Sequence, residues 1–160
     1  MDEIRRFAHA AATAYLSLFF DGRAGYAERE LLVRALRPRA EDFAVAFAPA
    51  AAEVGRRAYP TVWRETPVFG PSEEQSRLHV GTFVSDDLRH APPAWRPLAP
   101  ALKRGRIWVS WAFAEPAGRG TTFDGMLFLG DRFAWFPRPW RFLQRPAPGP
   151  VVEVGAPFAT

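Results

Sequence analysis

The sequence predicts an α+β domain in which N-terminal helices pack on a bent antiparallel sheet. Residues 1–60 place apolar side chains at the three- and four-residue spacing of helix faces. Later segments are rich in alternating β-branched and aromatic residues, and Gly130-Asp131 has the turn chemistry of a tight hairpin. Helices followed by consecutive antiparallel strands are typical of α+β folds.

Length and composition predict one domain over residues 1–145, followed by a Pro-rich, loosely ordered tail over residues 146–160. The chain has 160 residues, of which 48% are apolar, enough for a buried core. It contains no cysteine, which excludes a disulfide scaffold, a thiolate metal site and a cysteine nucleophile. We expect no cofactor and no bound metal.

Three helical regions are predicted before residue 60. The first spans Asp2–Phe19, with Asp2 as its N-cap. The second, shorter helix covers residues 31–36 and ends near Pro38. The third runs from Glu41 to Ala48, and Pro49 can start its continuation, which we expect to end before Pro60.

Strand signals follow, and consecutive strands at the end of the chain predict an antiparallel meander. The predicted strands are Thr61–Phe69, Arg77–Val84, Arg106–Ala114, Thr121–Leu129 and Arg132–Phe136. A Pro-rich connection over residues 85–105 separates the second from the third, and a helical turn is predicted within it. This element order resembles the cone-shaped NTF2-like fold.

The net charge of +4 is concentrated in the C-terminal half. Residues 1–88 carry 11 basic and 13 acidic side chains, whereas residues 89–160 carry 10 basic and 4 acidic ones. Twenty of the 21 basic residues are arginine. Abundant Arg, Ala and Pro together also indicate a GC-rich coding sequence, so this distribution favours an anionic partner for the C-terminal half only modestly.

The strongest candidate for a binding surface combines arginine with tryptophan near the end of the predicted domain. Arg138 and Arg141 are the proposed anion contacts, and Trp135 and Trp140 are the proposed stacking surfaces. Trp108 is assigned to the same surface from strand alternation. The competing interpretation is structural: Trp135, Trp140 and Phe142 close the core, while the arginine head groups remain in water.

The same region carries a family resemblance. Gly125, Gly130 and the run Ala134-Trp-Phe-Pro-Arg-Pro-Trp-Arg141 follow an upstream Glu41-Asp-Phe43. This pattern resembles an uncharacterised bacterial family that ends in a Gly-turn hairpin and an aromatic-Pro-basic-Pro-Trp-Arg signature. The resemblance implies no known activity.

The catalytic and metal-binding hypotheses depend on three histidines and a few carboxylates. The chain lacks nucleophile-elbow, phosphate-loop, dinucleotide-binding and zincin motifs. His79 and Asp124 form the alternative acid/base pair, although Asp124 beside Gly125 also suits a bulge or turn. His79, His90 and one of Asp86-Asp87 could form a facial metal triad, but the aspartates also suit a cap or loop start.

Three function hypotheses follow. The leading one is a small non-catalytic, cytoplasmic binding domain that recognises a protein partner or a small acidic or aromatic ligand. The alternatives are an NTF2-like enzyme or small-ligand carrier that uses a His79–Asp124 pocket, and a single-stranded nucleic-acid binder. Arg5-Arg6 and the apolar stretch behind them lack the remaining features of a secretory signal, and we expect no membrane association.

Overall fold

The computed structural model describes residues 1–20 and 25–143, so the predicted tail over residues 146–160 lies outside the described part of the chain. The α-helices are α1 (Asp2–Ser17), α2 (Tyr26–Arg34), α3 (Asp42–Ala46), α4 (Pro49–Glu65) and α5 (Trp140–Leu143). The strands are β1 (Arg77–Val84), β2 (Ile107–Ala114), β3 (Gly120–Phe128) and β4 (Phe133–Trp135). Short 3₁₀ helices cover Leu18–Phe20, Leu88–His90 and Pro93–Ala101.

The four strands form one antiparallel sheet in the order β1-β2-β3-β4. Each strand therefore lies beside its sequence neighbours, and the predicted α+β class is confirmed. The predicted hairpin at Gly130-Asp131 is also present, because the Leu129 amide donates to the Arg132 carbonyl across it. Within residues 1–20 and 25–143, the helices are too short or too polar to cross a membrane.

Helices cover both faces of the sheet. On one face, Phe83, Trp108 and Leu127 join a core with α3, α4 and the 3₁₀ helix Pro93–Ala101. On the other face, Trp111, Phe113 and Met126 pack with α1 and the residues around α2. Both faces can be apolar because strand alternation sends neighbouring side chains to opposite cores.

The predicted strand Thr61–Phe69 is wrong, because α4 continues through Pro60 to Glu65. Tyr59 and Trp63, four residues apart, lie on the inward side of this helix and pack on the two cores. Pro60 is exposed, so water can solvate the carbonyl that loses its amide partner. Packing of the apolar side chains thus outweighs the local helix-breaking signal.

A β-bulge interrupts β3 where the sequence suggested one. Trp111 pairs with Phe123 and Val109 with Met126, so Asp124 and Gly125 both lie opposite Ser110. Gly125 has a φ of 99°, a left-handed value that favours glycine. Beyond this bulge β3 pairs with β4 only through residues 126–128.

Candidate functional site

A cavity of about 520 Å³ lies between the end of α4, the first half of β3 and the connection from β4 to α5. Its volume is within the range of small-ligand sites. Its aromatic lining residues are Phe69, Phe123, Trp135, Trp140 and Phe142, and its charged ones are Glu65, Asp124, Arg138 and Arg141. The site thus combines apolar walls with charges of both signs.

Trp135 is the fixed centre of the aromatic wall. It is 5% exposed, and its indole N–H donates to the Asp124 carbonyl at 2.9 Å. Its ring meets Phe69 and Trp63 edge to face, with centroid distances of 5.1 and 5.6 Å. A tryptophan held from three sides keeps its orientation and offers a preorganised surface.

The connection from β4 to α5 is anchored by buried hydrogen bonds. The Phe136 amide donates to the Gly125 carbonyl at 2.7 Å, and the Tyr59 hydroxyl donates to the Pro137 carbonyl at 3.0 Å. Burial raises the pKa of Tyr59, so its phenol remains a neutral donor. The backbone that carries Arg138 is therefore held from both β3 and α4.

Arg138 has an unusual backbone conformation for its residue type. Its φ is 48°, in the left-handed region, where a residue with a side chain costs roughly 1–2 kcal/mol. Its side chain and that of Arg141 are exposed at the cavity, and neither forms an ion pair within the described residues. Strain of this kind is concentrated at functional sites.

Asp124 supplies a partly buried carboxyl group to the cavity. Its Oδ1 atom is buried and has no hydrogen-bond partner within the described residues, and the same holds for the Trp95 indole N–H. Burial raises the pKa of Asp124, an effect that the nearby Trp95 indole opposes only in part. The carboxyl group can therefore accept or donate a hydrogen bond, depending on pH.

Replacing Asp124 by asparagine is expected to remove a pH dependence of stability. Because the folded-state pKa of Asp124 lies above its unfolded value, the stability that this carboxyl group contributes is fully present below the unfolded pKa and is lost as pH rises through the folded pKa. Urea unfolding from about pH 3 to about pH 8, a range that includes the ordinary Asp pKa, should show the stability of the wild type relative to Asp124→Asn declining as pH rises. An Asp124→Asn profile that declines equally would contradict the assignment to Asp124.

Four of the five predicted binding residues, namely Trp135, Arg138, Trp140 and Arg141, line this cavity. Trp108 does not reach it, because its side chain is 0% exposed in the core on the opposite face of the sheet from Trp135. The structural interpretation also holds in part, since Trp135 is buried and Trp140 and Phe142 are half-buried. The tryptophans therefore close the core and line the cavity at the same time.

The alternative catalytic pair is not brought together. His79 is exposed on β1 and lies outside the cavity, while Asp124 lies on β3, with β2 between the two strands. The proposed triad of His79, His90 and Asp86 or Asp87 is not assembled either. In the described ranges, no group of three His, Asp or Glu side chains is placed to hold a metal ion.

Sequence reasoning missed three parts of the site. The sequence predicts Phe69 within a strand, but this residue follows the end of α4 and forms part of the cavity wall. Phe123 and Thr122 line the cavity from β3, and only their alternation within the strand was visible beforehand. Tyr59, which anchors Pro137, carries no local signal of that role.

Comparisons with known proteins place no further constraint on this site. No family model, no curated protein and no solved structure matches the chain. The case for a function therefore rests on the geometry of the cavity and on the chemistry of its lining.

Proposed function

We propose that this protein is a binding domain that recognises an anionic group of a protein partner at the cavity between α4, β3 and α5. The observation that carries the proposal is the convergence of Arg138 and Arg141 with Trp135 and Trp140 on this cavity. The guanidinium groups supply charge-assisted hydrogen bonds, and the indoles supply apolar contact area.

The strained backbone at Arg138 supports the same proposal. A conformation that costs folding free energy suggests that the arginine serves a purpose other than stability. Tyr59, Phe136 and Gly125 hold the connection through their hydrogen bonds, so Arg138 is presented in one place. Preorganisation of this kind lowers the entropy lost on binding.

Replacing Arg138 by glycine should separate binding from stability. Glycine tolerates the positive φ, so relief of strain offsets the greater freedom of the unfolded chain, and the unfolding free energy should change by less than about 1 kcal/mol. Loss of a charge-assisted hydrogen bond should raise the Kd for the partner about tenfold or more. Urea unfolding and calorimetric titration give the two quantities.

The partner is sought by affinity capture from nuclease-treated lysate of the cells that produce the protein. Wild type and the control Arg104→Ala, whose side chain is 90% exposed and outside the cavity, should retain one stoichiometric protein. The double variant Arg138→Gly/Arg141→Ala should lose it. Equal capture by all three proteins, or capture that is seen only when the nuclease is omitted, contradicts the proposal.

A further inference from the structure

The cavity meets the edge of β3 rather than one of its faces. Thr121, Thr122, Phe123 and Asp124 are consecutive, and all four line it. Successive strand residues point to opposite faces of a sheet, so only a cavity at the strand edge can contact all of them. The first half of β3 is thus a wall of the binding site.

At this edge, backbone N–H and C=O groups of β3 form no hydrogen bonds with any described strand. β4 begins its pairing at Met126, and the Phe136 amide reaches only as far as the Gly125 carbonyl. The Asp124 carbonyl accepts from the Trp135 indole on the side away from β2. Alternation places the N–H and C=O of Thr122 on that same side, where no described residue bonds to them.

The opposite edge of the sheet differs. There α1 packs along β1, and His9 Nε2 lies 3.1 Å from the Val80 carbonyl. A helix that covers an edge strand prevents further strand pairing. Within the described residues, the first half of β3 is therefore the edge that remains open beside an aromatic cavity.

We propose that an extended, acidic segment of the partner protein adds to the sheet as a strand beside residues 120–124 of β3. This inference rests on the proposed function and specifies the form of the partner. Main-chain bonds to Thr122 would provide affinity, and alternate side chains of the segment would enter the aromatic cavity. An exposed strand edge is a ready template for such pairing.

Charge at the edge selects an acidic occupant. Arg138 and Arg141 stand at the cavity, and exposed Arg119 directly precedes β3. Two carboxyl groups face them, Glu65 and Asp124, and burial favours the neutral form of Asp124. Carboxylates on the added segment would pair with guanidinium groups that have no ion pair within the described residues.

The test uses a displayed library of random peptides selected on the full chain, followed by affinity measurement on variants. Thr122→Pro removes the outward N–H, which an open edge tolerates because proline is compatible with edge strands. Thr122→Val is the matched control, since it retains the N–H and favours a strand. Circular dichroism and thermal unfolding establish that both variants fold.

Selected peptides should be rich in acidic residues that alternate with aromatic or β-branched ones. Thr122→Pro should raise their Kd about tenfold or more through lost main-chain bonds, while Thr122→Val should leave it nearly unchanged. Arg138→Gly/Arg141→Ala should weaken them as well. If no selected peptide binds the wild type more tightly than it binds Thr122→Pro, strand addition is overturned.

Three results would overturn the inference in distinguishable ways. Peptides weakened by the arginine double variant but not by Thr122→Pro refute strand addition and leave the proposed function intact. If residues 146–160 match the selected sequences, and a synthetic peptide of these residues competes with the selected peptides for binding, the segment that adds to β3 would be part of this chain itself. Self-association of the full chain that Thr122→Pro abolishes, seen by analytical ultracentrifugation, would assign it to a second copy.

Discussion

Gly125→Ala is expected to lower the unfolding free energy by about 2–4 kcal/mol. This loss combines the cost of left-handed backbone strain with the cost of a disrupted hydrogen bond. Gly125 has a φ of 99°, and a Cβ atom there would clash with the Phe136 carbonyl oxygen. This contact is with backbone, so a change of rotamer cannot relieve it. The Phe136 amide bond to the Gly125 carbonyl would therefore be strained or lost.

Gly130→Ala is the matched control for this prediction. Gly130 has nearly the same φ, 96°, but a Cβ atom there would meet nothing within 4 Å. Only backbone strain remains, and the loss should be about 1–2 kcal/mol. Equal losses for the two variants in urea unfolding would show that the approach of Phe136 to Gly125 contributes nothing to stability.

Gly125→Ala should also weaken binding, because the bulge positions the site. The clash of the added Cβ atom with the Phe136 carbonyl oxygen falls two residues before Arg138, at the start of the connection that carries it. Displacement of this connection would move the guanidinium group relative to Trp135. A shift of about 1 Å in a positioned group can cost a large part of its interaction free energy.

The sheet was predictable because its signals are local. β1 occupies the predicted residues 77–84, β2 begins one residue later than predicted, and β3 begins and ends one residue earlier than predicted. Alternation of side chains and the glycine of a two-residue turn operate within a few residues, so one sequence can show them. The bulge at Asp124-Gly125 was visible for the same reason.

The length of α4 was not predictable, because tertiary packing decides it. Pro60 is a strong local signal for a helix end, but Tyr59 is 1% exposed and contacts Phe43, Phe136 and Phe142. These contacts come from distant parts of the chain. No window around residue 60 contains the information that they exist.

The candidate site also has a part that local sequence signals predict and a part that depends on long-range structure. Trp135, Arg138, Trp140 and Arg141 are adjacent in sequence, so their shared location could be inferred from residue type and spacing alone. Trp108 was misplaced because alternation predicts that a side chain changes face, but not which face leads to the cavity. His79 and Asp124 remained apart because the strand order puts β2 between them.

Arg132→Met is expected to lower the unfolding free energy by about 3 kcal/mol, because it leaves a buried carboxylate without its ionic partner. Asp42 is 1% exposed and accepts two bonds from Arg132, at 2.9 and 2.5 Å, and one from the Arg39 amide at 2.7 Å. Only the Arg39 bond survives the substitution. Glu30→Ala is the control, because it breaks a surface pair with Arg34 and should cost less than about 0.5 kcal/mol.

The pH dependence gives this prediction a second readout. Burial alone would raise the pKa of Asp42, but the bonds from Arg132 and Arg39 outweigh it and hold the pKa below its ordinary value. In the wild type this contribution to stability is therefore present above the unfolded pKa and is lost as pH falls through the folded one. In Arg132→Met burial dominates, so the difference in stability from wild type should shrink towards acidic pH. A difference that stays constant from neutral to acidic pH would mean that Arg132 stabilises the fold by packing rather than by charge.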